Sequence, residues 1–214
     1  MGITVRGSGG MALSEHIGTA SSVLLLSSPM DHQADEACTD LLTVTDPLDE
    51  DVLSITLVHS PDDRLDRWQA HVGALPAKVG IISVGGTVRS ATSVQGESSH
   101  QPVDDSLSIQ TVSTPGNLTD LGIKITEYLS AWESDGNQIV ACFHTLTTLA
   151  QYTDMKTIFR FVHVLVEKLQ RVDAIAHFHM DPAAHDEREL NMLKSVFDAV
   201  VERTDNGEWI IHSQ

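Results

Sequence analysis

The sequence predicts an α/β domain: a three-layer, mostly parallel sheet with helices on both faces, finished by an antiparallel hairpin. Three observations predict it. Short apolar runs alternate with segments of helical period along the chain. Most of those runs are apolar at consecutive positions, as strands covered on both faces require. The last two runs flank Asp205-Asn206-Gly207, and Asn-Gly is a preferred centre for a two-residue hairpin turn. With 214 residues the chain is long enough to bury one good core and too short for two full domains.

In order along the chain, residues 1–20 are expected to be a flexible segment, because Met1 to Gly10 is glycine-rich and Met11 offers a second start. A single domain is then expected over 21–214. Its strands are read at Val23 to Ser27, Val52 to Leu57, Val79 to Val84, Leu107 to Val112, Ile139 to Phe143 and Ala174 to Phe178. Helices are read at Asp35 to Leu42, Asp62 to Val72, Leu118 to Ala131, Met155 to Leu169 and Glu187 to Phe197. Ser60-Pro61-Asp62-Asp63 carries the capping pattern for the second of these. The clearest stripe is Met155, Ile158, Phe159, Val162, Leu165, Val166 and Leu169, with Lys156, Arg160, His163 and Glu167 on another face. Ala199 to Arg203 and Trp209 to His212 read as the hairpin strands. Residues 85–106, polar and without periodicity, are expected to be a mobile loop.

Charge excludes several function classes. Thirteen basic residues stand against thirty acidic ones, for a net charge of −17. Phosphate-rich partners are bound largely through electrostatics, so neither nucleic acid nor an anionic membrane is expected as a direct partner. Few lysines, few aromatics and acids spread over helix surfaces suggest an intracellular protein working at high salt, where self-repulsion is screened. The two cysteines, Cys38 and Cys142, do not make a disulfide framework. No apolar run approaches a membrane span and no signal-peptide pattern opens the chain, so a cytoplasmic location is expected.

Between Arg6 and Arg64 there is no lysine or arginine but eleven carboxylates. Ser22 to Ser27 is an apolar strand, and Ser28-Pro29-Met30-Asp31 leads into an acidic helix containing Asp35. Further on, Ile139 to His144 is an apolar strand followed by Thr145-Leu146-Thr147-Thr148-Leu149. This order of elements resembles the RecA-like ATPase core, in its archaeal KaiC/RadA-like branch. The segments Asp62 to Trp68, Phe159 to His163 and His177 to His185 resemble an uncharacterised haloarchaeal family of degenerate KaiC-like proteins. The resemblance implies a RecA-like, P-loop NTPase-type sheet and edge-to-edge assembly, either as a homo-oligomer or with an intact KaiC-like ATPase or signalling protein.

The residues present do not equip the fold for nucleotides. A P-loop supplies glycine N–H groups, a lysine and a magnesium-binding hydroxyl. Ser28, Pro29, Met30, Asp31 and Asp35 form a degenerate phosphate-loop region that supplies none of these in place. A like-charge contact of 4 Å costs on the order of 4 kcal/mol at an effective dielectric of about 20, so nearby carboxylates oppose a phosphate. In the second nucleotide motif that the resemblance implies, an aspartate ends the strand and a Ser-Leu-Thr-like segment follows; His144 takes the aspartate's place, and magnesium prefers hard oxygen ligands.

A metal reading competes with this one. His177 and His179 share one face of a strand, Asp181 follows, and His185 lies within reach, with His144 on a neighbouring strand end. A loop and helix cap explain Asp181 and Asp186 without metal. Ser27-Ser28 lacks a nucleophile elbow. Cys38 lies among carboxylates that should raise its thiol pKa. Trp68 and Trp132 read as core anchors, and Arg64 and Arg67 as part of a solvated mixed-charge face. The expectation is therefore a non-catalytic pseudo-ATPase that binds a protein partner and takes no cofactor. A metal-dependent hydrolase on His177, His179, Asp181 and His185, or an ATPase with an unorthodox phosphate site, are the alternatives.

Overall fold

The computed structural model describes residues 2–5, 13–28, 31–85, 106–204 and 208–213. Along it run β1 (Gly2–Val5), α1 (Leu13–His16), β2 (Ser22–Leu26), α2 (His32–Asp40), β3 (Glu50–Thr56), α3 (Pro61–Val72), β4 (Lys78–Val84) and β5 (Leu107–Val112). They continue with α4 (Leu118–Trp132), β6 (Gln138–His144), α5 (Leu146–Leu149), α6 (Met155–Arg171), β7 (Ile175–Met180), α7 (Glu187–Lys194), β8 (Ala199–Arg203) and β9 (Trp209–Ser213). The nine strands make one sheet in the order β1-β9-β8-β2-β7-β6-β3-β4-β5. From β8 to β5 every pairing is parallel, and β9 is antiparallel to both β8 and β1.

The side-chain alternation of a strand divides the residues between two layers. On one face Leu24, Leu26, Ala141, Phe143, Ala176, Phe178 and Met180 pack with α4, α6 and α7. On the other, Val23 and Leu25 meet α1 and α2, while Val140 and Cys142 meet Cys38 and Trp68. The expected stripe of α6 buries Ile158, Val162, Leu165, Val166 and Leu169, each worth about 1.5–3 kcal/mol of apolar burial. Ser60 and Asp63 close a capping box on α3, and Asp186 and Glu189 close one on α7. Gly80 on β4 lies against the rings of Tyr128 and Trp132, where an added Cβ would stand 2.6 Å and 2.8 Å from ring carbons.

Of residues 1–20, residues 2–5 and 13–20 are described. Gly2–Val5 pair with β9 along the sheet's outer edge, and Leu13 and Ile17 are buried against Val23, Leu25, Trp209 and Ile211. The pairing gives this short segment backbone partners that its glycine-rich composition does not announce. The polar segment expected to be a loop, and the Asn206-Gly207 turn, lie outside the described residues apart from Gly85, Ser106 and the turn's flanks. The two hairpin strands are present as β8 and β9.

Candidate functional site

The chain leaves β2 toward β3 on one side and comes back to place β8 on the other. That makes β2, between β7 and β8, a topological switch point, and crevices at the carboxyl ends of such strands are the usual ligand positions of open α/β sheets. Here the crevice holds side chains of the protein itself. Asp31 is the N-cap of α2, its carboxylate accepting from Gln33 N–H at 3.1 Å. Arg203, the last residue of β8, donates from Nη1 to both carboxylate oxygens of Asp31 and from Nη2 to Gln33 Oε1. Its guanidinium also lies 5.5 Å from the Trp209 ring centroid. The positive end of α2 is thus met by an internal carboxylate, itself neutralised by an internal cation. Asp35, one turn along, pairs with Arg67 of α3. Pro29 and Met30 lie outside the described residues, and Ser28 is exposed at the end of the β2 loop.

His144 ends β6, as expected, at the sheet's carboxyl edge. Its ring stands 4.5 Å from that of His179 and 4.9 Å from that of His59, and its Nδ1 is buried without a partner. Burial, reinforced by the nearby His179, pushes its pKa down to about 2, so the ring is neutral. The peptide between His144 and Thr145 is cis.

Deeper on the same face, four side chains converge. Cys38 from α2, Cys142 from β6, and His177 and His179 from β7 each present a ligand atom, all within 4.8 Å of one another. They are 2%, 0%, 1% and 5% exposed. The sulfurs are 3.5 Å apart and His177 Nε2 is 3.2 Å from Cys38 Sγ. Arg64 Nη2 reaches Cys38 Sγ at 3.6 Å from α3. His177 Nδ1 and His179 Nε2 are buried without partners. A hydrogen bond from the Cys142 thiol, aided by Arg64, holds Cys38 well below the usual thiol range, against the effect of burial. Burial and the neighbouring Cys38 sulfur push Cys142 well above it. Burial lowers His177.

These positions revise three readings of the sequence. Cys38 does not face the carboxylates of its helix: α2 turns it inward, toward Cys142 and Arg64, so its thiol is lowered and not raised. Arg64 points into this cluster, whereas Arg67 stays in the helix-to-helix ion pair. The set His177, His179, Asp181 and His185 is divided. Asp181 caps the short 3-10 turn Pro182–Ala184, accepting from Ala183 N–H at 3.0 Å. The His185 ring sits 3.1 Å from Thr147 Oγ1 and 3.3 Å from Glu189 Oε2. The two cysteines that complete the histidine pair escaped the sequence reading. The available signal was that Cys142 and His144 alternate on β6 as His177 and His179 do on β7; the register that sets Cys142 beside His177 supplies the rest.

The fold and this face define a three-layer α/β protein with a mostly parallel sheet and a buried Cys/His cluster under its second helix. The chain belongs to a family of unknown function, DUF7504, whose profile matches residues 20–203. Among solved structures it is similar to a protein of Pyrococcus horikoshii OT3, described as a structural study of Project ID PH0250. The TM-score is 0.53 at 13% identity, covering 91% of this chain and 89% of that one, a likeness of fold alone. No curated protein matches the chain.

Proposed function

We propose that this protein is a RecA-like core of the degenerate KaiC/RadA kind, converted from nucleotide chemistry to non-catalytic protein binding at high salt. The observation that carries the proposal is the ion pair between Arg203 and Asp31 at the α2 N-terminus. In a nucleotide-binding relative that helix end receives phosphate. Here a carboxylate already caps it, and an incoming phosphate would have to displace that carboxylate or lie beside it. The sheet order supports the RecA-like part of the reading, with β2 between β7 and β8 and β6 and β3 beyond β7. His144 at the end of β6 supports the loss of magnesium chemistry.

A binding role needs a surface, and α4 with α6 offers one. Leu118, Ile123, Phe161 and Val164 border a groove of about 550 Å³, with Ile123 and Val164 half exposed. An intact KaiC-like ATPase or a second copy of the chain is the partner this reading favours. Calorimetry with magnesium and ATP in molar KCl is expected to give no saturable heat at millimolar ligand, and phosphate release is expected to match the protein-free blank. Micromolar ATP affinity would overturn the proposal. Mixing with a KaiC-like ATPase, followed by light scattering, tests the partner; a monomer unchanged in mass in its presence and alone would remove the binding role.

A further inference from the structure

We propose that Cys38, Cys142, His177 and His179 form a closed, structural zinc site. The donor set is the one that a tetrahedral zinc takes, two thiolates and two imidazoles. With Zn–S about 2.3 Å and Zn–N about 2.0–2.1 Å, a tetrahedron has S···S and S···N edges of roughly 3.8 and 3.6 Å. The observed 3.5 Å between sulfurs and 3.2 Å between Cys38 Sγ and His177 Nε2 lie just inside those edges. All four ligand atoms lie within 4.8 Å of one another, so small adjustments of the donors admit the ion. The sulfurs are also far outside bonding distance for a disulfide, about 2.05 Å, and both cysteines are free.

The second line of argument is the unsatisfied polar atoms. His177 and His179 each leave a ring nitrogen buried without a partner, at a cost of about 1–3 kcal/mol apiece. Both rings belong to the cluster whose ligand atoms converge. An ion accepting the lone pair of His179 Nε2 turns that cost into coordination at His179; His177 faces Cys38 through Nε2, and its orphaned Nδ1 lies on the other side of the ring. Charge also balances: two thiolates neutralise Zn²⁺, and the Arg64 guanidinium beside Cys38 donates to a ligating sulfur as an outer-shell partner. On binding, each cysteine thiol loses its proton to solvent, so loading releases up to two protons per zinc at neutral pH.

Four buried protein ligands fill the tetrahedron and leave no open position for water or substrate, which makes the site structural and not hydrolytic. Its effect is to tie α2 to β6 and β7, under the helix whose N-terminus Asp31 and Arg203 occupy. The site is independent of the nucleotide reading: ATP binding would leave it standing.

The test uses the full chain, purified without a histidine tag. Elemental analysis is expected to find about one zinc per chain. After exchange to cobalt under reducing, anaerobic conditions, the visible spectrum is expected to show intense tetrahedral d–d bands with thiolate charge transfer. Cys142→Ser and His179→Gln are expected to lower zinc affinity at least tenfold, while His185→Gln, outside the cluster, keeps it. Should the variants fail to fold, the cobalt spectrum of the wild type decides. Zinc-free protein that gives no cobalt spectrum, a Cys38–Cys142 disulfide by mass spectrometry of the freshly purified chain, or zinc retained in Cys142→Ser would overturn the proposal.

Discussion

Arg203 and Asp31, 172 positions apart in sequence, share a two-pronged ion pair across the carboxyl edge of the sheet. Their side chains are only 16% and 22% exposed, so this pair is worth more than a solvated surface bridge. Arg203→Met is expected to cost about 1–2 kcal/mol by leaving Asp31 half-buried and unpaired. Asp31→Ala is expected to cost more, because it also removes an N-cap worth about 1 kcal/mol. Urea unfolding of the single and double variants measures both values. Costs that simply add would show that the two residues do not interact.

Asp51, fully buried at the start of β3, should give the protein a pH-dependent stability. Burial raises its pKa to about 6; Asn137 opposes the shift, and Asp135, itself paired to Lys78, adds to it. The folded state therefore binds this proton more tightly than the unfolded chain, whose aspartate titrates near 3.9. The stabilisation is complete below about pH 4 and is lost as pH rises through about 6, at up to 1.4 kcal/mol per unit. Asp51→Asn should flatten the curve, so that the difference between variant and wild type changes by about 2 kcal/mol between pH 4 and 7. A constant difference across that range would show that Asp51 titrates normally.

Gly80→Ala is expected to be one of the most damaging single-methyl changes in the sheet. The new carbon meets Tyr128 and Trp132 within 2.8 Å, and both rings are fully buried. Tyr128 is further fixed by a 2.8 Å hydrogen bond from Ser108. Overpacking of this kind costs about 1–3 kcal/mol, read as a lowered melting temperature. A melt unchanged from wild type would mean that the α4 rings have room to withdraw.

Salt should stabilise the chain. With a net charge of −17, self-repulsion is screened over about 10 Å at 0.1 M salt and about 3 Å at 1 M. The melting temperature is expected to rise by at least about 5 °C between 0.1 and 3 M KCl, equivalent to roughly 2 kcal/mol for a domain of this size. A melting temperature independent of KCl would remove the high-salt reading.

The layered sheet was legible because its cause is local: consecutive apolar residues in β2, β6 and β7 show strands buried on both faces, and α6 displays its stripe in sequence. Even the hairpin partners β8 and β9 are visible in composition. What stayed hidden depends on contacts between distant segments. Nothing near Gly2–Val5 shows that β9 will accept it. The Cys/His cluster draws on α2, β6 and β7, so its members are separated by up to 141 positions, as the numbering from Cys38 to His179 shows. His177 and His179 were recognisable as a pair because alternation puts them on one face. Asp181 and His185 follow them closely in sequence but turn away once the strand ends.

The position of β2 sets when the sheet can close. Its first residue bonds to Asp198, 176 positions later, and its neighbours β7 and β8 come from residues 175–203. During synthesis this fully buried strand therefore waits, without either neighbour, until most of the chain has left the ribosome. The strands β3 to β6 pair only with one another apart from the β6–β7 contact, so their order in the sequence allows a half-sheet with an open edge at β6 to form before β7 and β2 join it. Such edges recruit other chains, and long-range closure is slow. The interval before β8 emerges is when this protein is most exposed to misassembly, and a truncation that removes β8 and β9 would leave it there permanently.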